Sequence, residues 1–218
     1  MKVGTDGVLI GAWATINESL RILDVGTGTG LIACMLAQRS DAIIDAIEID
    51  PDAAIQAKEN VKESPWAHRI RVICTSFQAY CKNPLSRYDL IICNPPFFIN
   101  SLKAKTQSRR IARHNHQLEM KELLSGAQSL LNPHGHLCII FPADKESYLI
   151  TISKEFNLFP GKILRIRPVP GKVFKRVLMD FSFANQPISE TEMTIETGSR
   201  HQYSQEYLDL TRDYYLHN

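Results

Sequence analysis

The sequence predicts an α/β domain: a mostly parallel sheet covered by helices on both faces. Three observations predict it. Apolar runs alternate along the chain with stretches of helical spacing, the pattern that parallel crossover units leave in a sequence. Those runs are rich in Ile, Leu and Val without a strict period of two, as strands buried on both faces are. The 218 residues, 44% hydrophobic and 22% charged, also suit one compact domain, residues 1–218, with a sizeable core.

The elements follow in order. Strands are expected at 21–25 and 42–49, with a helix over 30–38 between them. A second helix covers 52–62, where Asp50 suits the N-cap and Pro51 the first helical position. Further strands fall at 70–74 and 89–93, and a third helix at 118–130. Asn132-Pro133-His134-Gly135 reads as a turn before a strand at 135–142, and Pro65 and Pro133 punctuate helix ends. Strands at 162–167 and 176–183, joined near 168–171, are expected to form a hairpin closing one edge of the sheet. There is no repeat, low-complexity segment or linker.

Two motifs carry chemistry. The first is Asp24-Val25-Gly26-Thr27-Gly28-Thr29-Gly30, at the junction of the first strand and first helix. Glycines there let the backbone turn sharply and let a ligand approach the main chain. The spacing is G-x-G-x-G rather than the G-x-G-x-x-G of dinucleotide sites, which weakens a nicotinamide reading. Glu48, eighteen residues after Gly30, is placed to accept hydrogen bonds from two ribose hydroxyls. Inside an apolar strand it needs a ligand or another partner. Asp24, also within an apolar strand, is expected to orient the glycine loop or to receive the ammonium end of S-adenosylmethionine (SAM).

The second motif is Asn94-Pro95-Pro96-Phe97, directly after the apolar strand at 89–93. In isolation such a composition is most often a surface turn. After a buried strand, in a chain with the glycine motif, it reads as a grip on a planar amine. The Asn94 side-chain oxygen and the Pro95 carbonyl can accept both N–H groups of the amine, favouring a pyramidal nitrogen whose lone pair faces a methyl donor. Consecutive prolines fix φ and hold that carbonyl, and Phe97 can stack on a flipped base. Together the motifs predict a SAM-dependent methyltransferase acting on an exocyclic amine. Cys93 is expected in the core rather than as a nucleophile, and Trp13 and Trp66 as packing residues.

Net charge is only +2, yet basic residues cluster. Lys103, Lys105, Arg109, Arg110 and Arg113 follow the second motif, with His114, His116 and no acid. Residues 154–176 carry seven Lys or Arg, Lys172 and Lys175 among them, against the single acid Glu155. Basic runs are commonly just solvated, but a run directly after such a motif has better odds of touching phosphate. Lys103, Lys105, Arg109, Arg110, Arg113, Lys172 and Lys175 are the candidate RNA contacts. The five cysteines are scattered and form no C-x-x-C pair, which argues against zinc and against a disulfide framework. No metal is expected. With no signal peptide and no apolar stretch of spanning length, the expected compartment is the cytoplasm, with no membrane contact. No obligate protein partner is predicted.

The chain resembles the bacterial tRNA1(Val) (adenine-37-N6)-methyltransferases, class I SAM-dependent enzymes. The residues that carry the resemblance are Met1-Lys2-Val3-Gly4-Thr5-Asp6-Gly7, Gly11-Ala12-Trp13, the stretch from Asp24 to Gly30, and Asn60. Ser64-Pro65-Trp66-Ala67, Asn94 to Phe97, Tyr203-Ser204, Tyr207 and the tail through Leu216 complete them. The resemblance implies a Rossmann-like fold with a seven-stranded sheet whose last strand is antiparallel. It implies methylation of N6 of the adenine beside the anticodon of valine tRNA, with S-adenosylhomocysteine as by-product. It also implies that Lys2, Thr5, Asp6 and Asn94 touch the cofactor. Two departures stand out. The family usually carries an aromatic-rich segment before the opening motif, which this chain starts at; if that segment covers SAM or binds substrate, weakened or lost activity is expected. Where the family places an acid after the third strand to meet the SAM adenine, this chain has Ser76, a weaker acceptor.

Two other readings stay open. One is methylation of another planar amine: guanine N2 in ribosomal RNA, adenine in DNA, or a release-factor glutamine. The other is a protein that binds SAM or RNA without turnover.

Overall fold

A computed structural model of the chain describes residues 4–16, 20–95 and 118–215. Its strands are β1 (Arg21–Val25), β2 (Ile43–Glu48), β3 (Ile70–Cys74), β4 (Tyr88–Cys93), β5 (Leu131–Pro142), β6 (Phe159–Arg167), β7 (Arg176–Ser182) and β8 (Ser189–Thr194). Its α-helices are α1 (Thr5–Trp13), α2 (Leu31–Arg39), α3 (Pro51–Glu63), α4 (Phe77–Lys82), α5 (Met120–Leu130), α6 (Glu146–Ser153) and α7 (Gln205–Thr211).

The strands form one sheet in the order β3-β2-β1-β4-β5-β7-β6-β8. Strands β1 to β5 are mutually parallel, and β7 runs antiparallel between β5 and β6. The expected antiparallel strand is therefore present, but among the described residues the sheet has eight strands rather than seven. The extra one, β8, pairs parallel with β6. Consequently the β6–β7 hairpin does not close the sheet edge; β8 does. Strand β8 reads Ser-Glu-Thr-Glu-Met-Thr, with only Met193 buried, so it lacks the apolar run by which the other strands are recognised. Two charged glutamates on an edge strand also discourage pairing with another chain.

The packing explains the elements. Strand residues alternate between two cores: Ile22, Leu90 and Ile92 face Leu9, Ile10, Leu36 and Val61, from α1, α2 and α3. Leu23 and Ile91 face Leu123, Leu124 and Leu149, from α5 and α6. Helices thus cover both faces. Asp50 caps α3 through Oδ1, accepting from the Asp52 and Ala53 N–H groups at 2.9 and 3.1 Å, with Pro51 in the first turn. Trp13 and Trp66 pack against the core, and Cys93 is buried. The expected turn at 132–135 is instead the start of β5, which begins at Leu131, directly after α5. The ladder slips there, between Tyr88 and Leu90, and a Cβ at Gly135 would lie 2.8 Å from the Tyr88 carbonyl oxygen. Glycine thus lets the two backbones approach, and its sequence signal mimics a turn.

A polar knot lies within the apolar interior. Asp45 of β2 is 1% exposed. Its Oδ1 accepts from Arg71 Nε and Nη2 at 2.9 and 2.8 Å, and its Oδ2 from Tyr88 Oη at 2.7 Å. Tyr80 Oη lies 3.4 Å from the same oxygen and also contacts Tyr88 Oη. Burial, more than any neighbour, pushes both tyrosine hydroxyls upward in pKa, so they stay protonated and donate.

Close packing between α4 and α5 gives a stability prediction. A Cβ at Gly126 would meet Phe77 Cε1 at 2.3 Å and Cys81 Sγ at 2.8 Å. Gly126→Ala should therefore destabilise the protein by about 1–3 kcal/mol, the range for overpacking, despite alanine's better helix propensity. Urea unfolding measures it, and a variant as stable as the parent would mean that α4 moves aside at no cost.

Candidate cofactor and amine site

The carboxyl ends of the parallel strands gather the chemistry. In register, Val25 of β1 lies opposite Ile47 of β2 and Cys93 of β4. The next residues along the chain are Gly26 and Asn94, directly after β1 and β4, and Glu48, the last residue of β2. These three therefore stand at one level on three adjacent strands, each about 4.8 Å from the next strand. Open α/β sheets bind ligands at this edge.

The glycine loop folds over the end of β2. The Gly26 and Thr27 N–H groups both donate to the Ile47 carbonyl, at 2.9 and 3.0 Å. Gly26, Gly28 and Gly30 have φ of +72°, +59° and +83°, so the loop needs three left-handed residues within five, a conformation open to glycine. Nothing lies within 4 Å of where a Gly26 Cβ would stand. Asn60 of α3 steadies the loop by donating from Nδ2 to the Thr29 carbonyl at 2.8 Å.

Two acids meet this loop. Glu48 finds backbone partners: Oε2 accepts from the Gly28 N–H at 2.8 Å and Oε1 from the Asp50 N–H at 2.9 Å. Each oxygen keeps further acceptor capacity. Asp24 is fully buried. Its Oδ2 accepts from the Thr27 hydroxyl at 2.6 Å, whereas Oδ1 makes no hydrogen bond of normal geometry among the described residues. Burial pushes the Asp24 carboxyl up to about 7; the Thr27 hydroxyl and the nearby Ala33 N–H pull it down, and the Glu48 charge adds to the rise.

Asn94 is half-buried and Pro95 buried at the end of β4. Beside them lies the first turn of α1: a Cβ at Gly7 would stand 3.3 Å from Leu31 Cδ2 and 4.0 Å from Asn94 Nδ2. Thr5 is exposed at the start of that turn. Asp6 is ion-paired with Arg176, the first residue of β7, at 2.7 Å, a link that nothing in the sequence signalled. Ser76 caps α4, accepting from the Ala79 N–H at 3.1 Å, so serine here has a helix-starting duty. Lys172 and Lys175 are exposed in the β6–β7 connection. Lys2, Pro96, Phe97, Lys103, Lys105, Arg109, Arg110 and Arg113 lie outside the described residues, as do His114 and His116.

The fold agrees with the comparisons. A family model described as the methyltransferase small domain matches residues 7–159. The chain belongs to that family. It is 48% identical over 217 residues to a Bacteroides fragilis protein named tRNA1(Val) (adenine(37)-N6)-methyltransferase, covering 99% of this chain and 91% of that one. Proteins of the same name from Parabacteroides distasonis and Trichodesmium erythraeum are 46% and 42% identical over 219 residues, again covering 99% and 91%. A solved predicted O-methyltransferase from Agrobacterium tumefaciens superposes with a TM-score of 0.74 at 19% identity, covering 95% of this chain and 96% of that one. A putative RNA methyltransferase from Pyrococcus horikoshii gives 0.57 at 19% identity, covering 81% and 79%. At such identities these structures bear on the fold alone. The protein is thus a methyltransferase of Rossmann-like fold, with SAM as its methyl donor. No helix among the described residues is long and apolar enough to cross a membrane.

Proposed function

We propose that this methyltransferase, whose residues 1–218 form one domain, transfers a methyl group from SAM to N6 of adenine-37 in the anticodon loop of a valine tRNA in the cytoplasm. The observation that carries the reading is Asn94, half-buried at the level of Gly26 and Glu48 on adjacent strands. It stands beside α1, whose sequence belongs to the opening motif. Relatives over 40% identical carry the name of that reaction.

The residues suit the donor. Asp24 offers a buried carboxylate oxygen with no hydrogen bond of normal geometry among the described residues, the turn at Gly26 leaves the main chain open, and Glu48 keeps lone pairs for hydroxyls. Bound there, SAM supplies an electrophilic methyl group on a sulfonium. The Asn94 side-chain oxygen and the Pro95 carbonyl accept the two amine N–H groups, which draws the nitrogen lone pair out of the ring. Phe97 stacks on the base, and Lys2, Thr5, Asp6 and Ser76 lie along the cofactor. Lys103, Lys105, Arg109, Arg110, Arg113, Lys172 and Lys175 hold RNA phosphate. No general base is needed, because the methylated ammonium is acidic enough to release its proton to water. The test is labelled SAM with unmodified total tRNA, followed by nucleoside mass spectrometry. N6-methyladenosine confined to valine tRNA is expected; label in another nucleoside or in protein would sink the reading.

Asp24 adds a pH dependence. Its folded carboxyl titrates near 7, above the ordinary 3.8. The folded state therefore holds a proton that the unfolded chain releases. The stability this contributes is full below about pH 4 and falls as pH rises through about 7. SAM binding runs the opposite way, because its ammonium favours the ionised carboxylate. Affinity should climb up to about tenfold per unit from pH 5.5 to 7 and then level off. Calorimetry in buffers of different ionisation heat would register proton release. Asp24→Asn should flatten the profile, and an unchanged slope in that variant would remove Asp24 from the account.

A further inference from the structure

The sequence presents residues 154–176 as one basic run, but the fold sorts its charges. Arg165 is held between Glu146 at 2.5 Å and Glu190 at 2.9 Å. Arg167 pairs with Glu192, and Arg176 with Asp6. Lys162 donates to the Thr15 hydroxyl at 2.9 Å, and Lys154 precedes β6, so both lie toward the edge opposite the candidate site. Two cations remain, Lys172 and Lys175, both exposed, with no acidic partner among the described residues.

Their position follows from the topology. Strand β6 pairs antiparallel with β7, and β7 with β5, which runs parallel to β4. The β6–β7 turn therefore stands on the same rim as Asn94. Strands β7 and β6 lie two and three places from β4, about 10–15 Å away at the usual strand spacing. That is too far to touch a base held at Asn94 and suits the backbone of neighbouring nucleotides. Between the lysines, Val173 is 68% exposed, an apolar contact at the tip of the turn. The turn is also braced. Lys175 N–H donates to the Ile166 carbonyl at 2.8 Å, and Ala143 N–H to the Lys175 carbonyl at 3.3 Å. The Arg167 guanidinium lies 4.1 Å over the Phe174 ring. The Asp6–Arg176 pair then ties this turn to α1, whose Gly7 flanks Asn94.

We infer that this braced turn, with Lys172 and Lys175 on either side of Val173, is a docking surface for the ribose–phosphate backbone of RNA. It measures the distance from the reacting base while the arginines of β6 serve only the fold. The inference rests on the tRNA reading above. Neutralising two phosphates releases condensed counterions, so the surface has a salt signature.

The test compares Lys172→Glu/Lys175→Glu with Lys82→Glu/Lys154→Glu, which makes the same charge change at exposed positions on the opposite edge. Binding of unmodified tRNA is measured across a salt series, with SAM binding as the check on folding. The first variant should lose tenfold or more in tRNA affinity, and its slope against log salt should shrink by about 1.5–2. The second should lose much less and keep the wild-type slope. Wild-type slope in the first variant, or equal losses in both, would overturn the docking surface alone. A wild-type protein that neither binds nor methylates tRNA would overturn both the surface and the reading beneath it.

Discussion

Asn94→Ala is expected to lower kcat for methyl transfer by about 10²–10³-fold, the usual cost of deleting one hydrogen-bonding group aimed at the reacting centre. The loss belongs in kcat, because the acceptor matters most as the amine nitrogen pyramidalises, whereas tRNA binding is spread over many phosphate contacts. KM for tRNA and the dissociation constant for SAM should each move less than about tenfold. Folding should survive, since Asn94 follows β4 rather than filling it and its side chain is only half-buried. Asn94→Asp gives a second comparison: it keeps an acceptor but loses the donor and adds a charge, so it should fall between wild type and alanine. Single-turnover rates with saturating SAM and tRNA separate chemistry from binding. Full activity in Asn94→Ala would remove the amine grip from the mechanism.

Much of the fold is legible because its central strands are buried on both faces. Strands β1 and β3 fall at the expected residues, and β2, β4, β6 and β7 within three residues of them. Helix α1 is illegible for the opposite reason. Residues Gly7, Val8, Leu9, Ile10, Gly11 and Ala12 are all buried, so the helix has no polar face and no period to read. Helix α4 spans six residues, too short for periodicity, and β8 is an edge strand with one inward residue.

The site shows a subtler limit. Asp24, Asp45 and Glu48 are all acids inside apolar strands, and the sequence motif picks out the two near strand ends. Which acid meets the glycine loop and which joins a buried knot depends on strand parity and on distant partners. Asp45 meets Tyr80, Tyr88 and Arg71, residues 26 to 43 positions away. Charge has the same limit. Counting cations in residues 154–176 gives seven, but only tertiary pairing with β8, α6 and α1 distinguishes the ones bound to acids.

Asp45 is therefore where stability should respond most. Asp45→Ala should cost about 3–5 kcal/mol, the range for removing one partner of a buried charged cluster. At roughly 2–4 °C per kcal/mol for a chain of this size, Tm should fall by about 6–20 °C. The mechanism is specific. Arg71 is half-exposed and can turn to water once the carboxylate is gone, whereas Arg71→Ala leaves the buried Asp45 carboxylate without its countercharge and should itself cost about 3–5 kcal/mol. Tyr88 is fully buried and cannot turn, so deleting the carboxylate leaves the Tyr80–Tyr88 hydroxyl pair with one O–H that has lost its acceptor. Adding Tyr80→Phe and Tyr88→Phe to Asp45→Ala should then recover part of the loss, because a cluster with no polar member leaves no group unpaired. The cavity left by the carboxylate keeps the recovery incomplete. Urea unfolding of the three variants and the parent, with SAM affinity measured in each, separates this role from the one proposed for Glu48 three residues later. A large stability loss with unchanged SAM affinity places Asp45 in the scaffold; a loss of SAM affinity in a stably folded Asp45→Ala would move it into the site.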